Sequence, residues 1–325
     1  MPLPPGVDAP VPGPPGPPPP GSRTVRTDDG VDLHVEVDGD EHAELTVVFS
    51  HGFTARLAEF DVHRPALRGR VRLVFWDQRG HGRSGWTRLT AATIDRTGRD
   101  LGQVLDAVVP EGPVVLAGHS MGGMSIMALA RQRPELFGPR VVGAFLLATS
   151  SGGLVSTGLL GRWISLVRRL HLLGLWLRGL QLVAPLLERF RRRGTAIGRW
   201  FTRRYLFGRS DAEPADVRLV QDLLEETPYT VTLAFWATFL DHDETAALAV
   251  LGRVPTTVVA ATDDRLTPVG HGRRLAELLG ADAELVVVPG AGHSVNLTRT
   301  DVVDRALSDL LDRVEERLRA TPRAG

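Results

Sequence analysis

The chain has 325 residues, 43% hydrophobic and 23% charged, enough for one large domain with a full core or a domain carrying an insertion. Its 38 basic side chains are balanced by 38 acidic ones, which excludes a polyanion such as nucleic acid as a partner held by overall charge. Cysteine is absent, so disulfides, thiolate metal sites and cysteine nucleophiles are excluded and the redox compartment stays open.

Residues 1–22 are dominated by proline, whose missing N–H and fixed φ favour a solvated polyproline II tail outside the fold. The segment has neither the basic start nor the apolar run of a signal peptide, so a cytoplasmic location is expected. Residues 31–37 (VDLHVEV) alternate in period two, as a half-exposed strand does. LTVVFS (45–50), VRLVFW (71–76), PVVLAG (113–118), VVGAFLLA (141–148), TTVVAAT (256–262) and AELVVVP (283–289) are nearly continuous apolar runs. Runs of this kind suit strands buried on both faces of a parallel sheet. Helical segments are expected between them, around 57–67, 95–109, 122–133, 270–280 and 300–319. The fold class is therefore α/β, a mostly parallel, doubly wound sheet.

From about 152 to 248 the β-runs cease and the pattern turns helical. This segment reads as a helical cap inserted between two core portions, 23–151 and 249–325. All basic side chains of the chain are arginine, a bias ascribed to GC-rich coding, and residues 159–209 hold twelve of them against one acid, Glu188. The run 170–187 is strongly apolar, but Arg178 and Pro185 interrupt it, so it is read as a lid and not a membrane span. Its basic surroundings suggest a peripheral contact with anionic lipid as a further expectation.

The chemistry centres on Gly118-His119-Ser120-Met121-Gly122, directly after the run PVVLA. A G-x-S-x-G sequence between a strand and a helix forms a nucleophile elbow, a turn so sharp that small residues must flank the serine. A serine hydroxyl needs a base held by an acid, and the elbow implies the chain order Ser, acid, His. TTVVAAT ends at Asp263-Asp264, and AELVVVP leads into Gly290-Ala291-Gly292-His293. His293 is the expected base, and two adjacent aspartates compete for the acid. His119 is expected to point away from the nucleophile and to pack. His242 and His271 are expected at the surface or in the cap.

With these residues in place, residues 23–319 resemble the α/β-hydrolase family. The family's habit of a small residue, two variable positions and the acid, followed shortly by Thr-Pro, matches Ala261-Thr262-Asp263-Asp264 and Thr267-Pro268, and implies Asp264. Alanine stands at 261 where glycine is usual. Some relatives carry the acid one strand earlier, but Ala148-Thr149-Ser150-Ser151 offers none. The resemblance also implies two oxyanion-hole amides, Met121 and Phe53, the latter within Ser50-His51-Gly52-Phe53-Thr54. Asp77-Gln78-Arg79-Gly80-His81-Gly82-Arg83-Ser84 is similar to the family as well and is read as a structural turn.

The expected activity is hydrolysis of a carboxylic ester, a small molecule with apolar acyl or leaving groups. Thioester hydrolysis, C–C bond hydrolysis, acyl transfer and cofactor-free perhydrolysis stay open on the same triad, as does a non-catalytic ligand-binding role. No metal-ligand spacing and no G-x-G-x-x-G fingerprint are present, so no metal and no cofactor are expected.

Overall fold

The structure, a computed structural model, describes residues 17–19, 21–86, 89–154, 179, 202–209 and 212–320. Most of the 170–187 run and of the arginine-rich stretch, like residues 1–16 of the tail, lies outside the described residues.

Eight strands form one sheet: β1 (Ser22–Arg26), β2 (Asp32–Gly39), β3 (Thr46–Ser50), β4 (Arg72–Trp76), β5 (Val114–His119), β6 (Val141–Leu147), β7 (Thr256–Ala261) and β8 (Ala283–Val288). Their order is β1-β2-β4-β3-β5-β6-β7-β8. Strands β3 to β8 are mutually parallel, while β2 pairs antiparallel with both β1 and β4. Strand β1 begins at Ser22, inside the segment assigned to the tail, and pairs with Glu36 of β2.

The long described helices are α1 (Ile94–Val108), α2 (Met121–Gln132), α3 (Pro214–Glu226), α4 (Tyr229–Asp241), α5 (Val269–Leu279) and α6 (Thr300–Ala320). Successive side chains of a strand point to opposite faces, so each buried strand feeds two cores. Val48, Val74, Leu116 and Leu146 join α1, α2 and α5 on one face. Their neighbours Phe49, Phe75, Ala117 and Leu147 join α6 and the Leu57–Leu67 helical turns on the other. Helix α6 presents Val303, Ala306, Leu307, Leu310, Leu311 and Val314, the three- and four-residue spacing of one buried stripe. Strand β8 differs from the expectation. Its apolar run is only half-buried, because it closes the sheet edge and has a neighbour on one side alone.

Two helices of the expected cap segment, α3 and α4, are described. Val231, Ala234 and Phe235 of α4 pack on Trp86, Ile94, Met121 and Met124 above the sheet. Among the described residues, no helix is long and apolar enough to cross a membrane.

A buried ion pair ties the loop after β4 to α1. Arg79 donates from Nε and Nη2 to the two oxygens of Asp100 at 2.6 and 2.8 Å, and from Nη1 to Asp29 at 2.9 Å. Removing Asp100 would leave the buried Arg79 guanidinium with the partly exposed Asp29 as its counterion and two of its donors without their acceptor. Asp100→Ala is expected to lower the unfolding free energy by about 3 kcal/mol, read as a lower urea midpoint at unchanged m-value.

Candidate active site

The C-terminal ends of the parallel strands form one rim. Ser50 of β3 pairs with Gly118 of β5, and His119 with Leu147 of β6, so the loops that follow start at the same height. Ser120 sits between β5 and α2 with φ 49° and ψ −114°, a left-handed backbone that costs a non-glycine residue about 1–3 kcal/mol. The surroundings hold it there. Its N–H donates to Leu147 O at 2.9 Å, and its carbonyl accepts the Thr149 hydroxyl at 2.7 Å. The flanking glycines are steric necessities: a Cβ on Gly118 would lie 2.5 Å from the Gly122 carbonyl carbon, and one on Gly122 would collide with the Ser50 carbonyl oxygen.

His293 follows β8 and meets Asp264, which follows β7. The imidazole Nδ1 lies 2.8 Å from Asp264 Oδ2. Asp264 also accepts the Leu266 and Thr267 amides at 2.8 and 2.9 Å and the Thr267 hydroxyl at 2.7 Å. Burial by itself would raise its pKa, but the His293 ring and the Thr267 hydrogen bonds outweigh that and hold the carboxyl below its ordinary value. Asp263 faces elsewhere and pairs with Arg209 at 2.7 Å. The structure thus brings Asp264, not Asp263, to His293. Gly292 lets the chain from Leu206 to Gly208 lie directly on this loop, and the Ser294 amide donates to Leu206 O at 2.8 Å.

Phe53 follows β3 at the same rim. The next residue, Thr54, has φ 56°, and its amide donates to His81 Nε2 at 3.2 Å. That nitrogen must be unprotonated to accept, and burial lowers the His81 pKa to about 4. Among the described residues, neither the Phe53 nor the Met121 amide has an acceptor. Met121 is the first residue of α2, where helical geometry leaves N–H groups unpaired; its side chain is buried beside Trp86 and Ile94. The segment from Asp77 serves as a brace, because Asp77 accepts the Leu57 and Arg83 amides, each at 2.8 Å. Burial raises its pKa to about 6.

Ser120, His293, Phe53 and Thr267 line one cavity of about 560 Å³. Apolar side chains dominate the rest of the wall, among them Leu154, Leu206, Leu223, Leu224, Trp236 and Phe239. Among the described residues, no group of three His, Asp or Glu side chains is placed to hold a metal ion.

Two expectations for histidines change, those for His119 and His271, while His242 falls within the expected cap segment. His119 does not simply pack: it reaches the cavity wall and contacts Glu59 and the His293 carbonyl. His242 is buried, with Nε2 3.0 Å from Ser150 O. His271 is half-buried on the cavity wall, with Nδ1 2.8 Å from Ser150 Oγ. Glu59 and Ser150 were not singled out from the sequence, and no local pattern marks them, since their partners lie 60 and 121 residues away. Thr267 does carry a local signal, a hydroxyl three residues after an acid at the start of a turn.

Residues 47–306 match the sequence model of the Alpha/beta hydrolase family. A protein of Azorhizobium caulinodans named as a carbamate hydrolase, RutD, is 28% identical over 291 residues, covering 88% of this chain and 97% of the relative. Among solved structures, a thermophilic esterase from Thermogutta terrifontis superposes with a TM-score of 0.70 at 22% identity, covering 90% of this chain and 98% of the esterase. An enol-lactonase from Burkholderia xenovorans gives a TM-score of 0.69, also at 22% identity, over 89% of this chain and all of the lactonase, 100%.

The short Nδ1–H to carboxylate bond of His293 is expected to give a far-downfield imidazole proton resonance. Asp264→Asn should remove that signal and Asp263→Asn should keep it; survival in the Asp264 variant would assign the proton elsewhere.

Proposed function

The chain belongs to the alpha/beta hydrolase family, and from that premise we propose that it is a serine hydrolase cleaving carboxylic esters through an acyl-enzyme. The observation that carries the reading is the cavity shared by the strained Ser120 and the Asp264-paired His293. In it, Ser120 Oγ attacks the acyl carbon while His293 Nε2 takes the hydroxyl proton. Asp264 accepts from Nδ1, which fixes the tautomer that leaves Nε2 free as a base and steadies the imidazolium that forms. The carbonyl oxygen becomes an anion, and the open amides of Phe53 and Met121 are its donors. Each such donor is worth roughly 3–4 kcal/mol in the transition state. The imidazolium then protonates the departing alkoxide, and a water deprotonated by His293 releases the acid by the same steps in reverse order.

The wall supports a substrate class. A volume of 560 Å³ lies within the range of about 300–1,000 Å³ usual for small-molecule sites. Its apolar side chains gain from burying hydrocarbon, at about 0.8 kcal/mol per methylene. This favours an ester with an apolar acyl or leaving group over a small polar one. A thioester with the same acyl group fits the wall equally and is the second reading.

Ser120→Ala is expected to abolish labelling by a fluorophosphonate probe and to lower kcat for nitrophenyl esters by about 10⁴-fold or more. Across acyl chains of two to sixteen carbons, kcat/KM should rise from acetate to a medium-chain optimum. Leu223→Trp, which fills part of the cavity wall, should move that optimum to shorter chains; an optimum at acetate in the unmodified enzyme would refute the apolar assignment.

A further inference from the structure

Beside the proposed nucleophile lies a buried acid–base pair that the mechanism above does not use. Glu59 and His119 are 4% and 5% exposed. The His119 Nδ1 lies 3.3 Å from each carboxylate oxygen of Glu59, and Nε2 lies 3.1 Å from the His293 carbonyl oxygen. The His293 carbonyl can only accept, and an ionised Glu59 carboxylate does the same. A histidine makes both bonds only when both nitrogens carry protons, so the contacts call for an imidazolium opposite a carboxylate. Glu59 Oε1 accepts in addition the Gly52 amide at 2.8 Å. Glu59 and His119 therefore join three loops: that of Gly52 and Phe53 after β3, the elbow after β5, and the His293 loop after β8. The two imidazole rings lie 4.9 Å apart.

The geometry points to Glu59 and His119 as positioning residues, whose ion pair holds the Phe53 loop, the elbow and the His293 backbone in one register and whose loss on deprotonation sets the alkaline limit of activity. This rests on the reading of Ser120 as nucleophile and His293 as base.

The groups facing His119 come from every neighbouring loop. Glu59 and Asp264 are acidic, His293 presents its carbonyl, and His51 is held neutral by burial, with Nε2 accepting the Gln78 amide. Burial disfavours the charged ring, but the Glu59 charge and hydrogen bond, the His293 carbonyl and Asp264 together raise its pKa above the ordinary 6.5. A raised value means the clamp persists to higher pH than an ordinary imidazole would allow and is lost as pH climbs through the folded-state pKa. Above that point one N–H remains for two acceptors.

The test is the pH profile of the rate at which a fluorophosphonate labels Ser120, measured on the full chain with the Ser120→Ala control. The unmodified protein should lose rate at alkaline pH. In Glu59→Gln, which keeps an acceptor for Gly52 but removes the counterion, the alkaline limb should move down by about one pH unit while the acid limb stays. Glu59→Asp should restore part of the shift. In His119→Gln, which can donate to the His293 carbonyl but carries no charge, labelling should be slower and the alkaline limb absent. Superposed alkaline limbs in the unmodified protein and Glu59→Gln, or an unchanged limb in His119→Gln, would overturn the proposal. An unmodified protein that is not labelled at all would instead overturn the reading of Ser120 on which it rests.

Discussion

A serine held at positive φ between a strand and a helix is the constraint from which the rest of the site follows. L-residues resist that conformation, and it persists here because the surroundings leave no relaxed alternative. The Ser120 amide and carbonyl are both bonded to the end of β6, and the glycines before and after lie against backbone that no side chain could approach. The strain has a geometric result. It lifts the hydroxyl to the cavity and starts α2 at once, so that unpaired amides and the positive end of the helix lie beside the Ser120 hydroxyl.

Around that turn the buried ionisable groups divide by what each faces. His51 and His81 each use one ring nitrogen to accept a backbone amide, and burial keeps both neutral. They act as rigid hydrogen-bonding parts of the loops after β3 and β4. His119 faces acceptors at both nitrogens and is drawn toward the charged form. His293 meets a carboxylate at Nδ1. His51 and His81 are thus neutral and His119 is drawn toward charge because their partners differ, with no change in residue type.

The proposed machinery is assembled from chain segments that are remote in sequence. Phe53 and Glu59, Ser120, Asp264 and His293 enter from the loops after β3, β5, β7 and β8, and the parallel register brings those loops to one height. The apolar wall is drawn from other segments still, including α3 and α4. The wall can therefore vary while the groups at the rim stay fixed on the sheet.

Much of this was legible in the sequence. Apolar runs of strand length, helical spacing between them and the elbow are local patterns, set by backbone sterics and side-chain burial, and they yielded the α/β sheet and named Ser120 and His293 as candidates. Adjacent Asp263 and Asp264 were separated, in favour of Asp264, only by resemblance to the family's motif, since neighbouring residues share composition and depart in opposite directions. The fold alone turned one toward His293 and the other toward Arg209. The half-burial of β8, the antiparallel β1, and the Glu59–His119 pair likewise depend on which elements become neighbours. Hydrogen bonds and burial across such distances are decided by tertiary packing, because the two halves of each contact carry no mark of one another until the chain has closed.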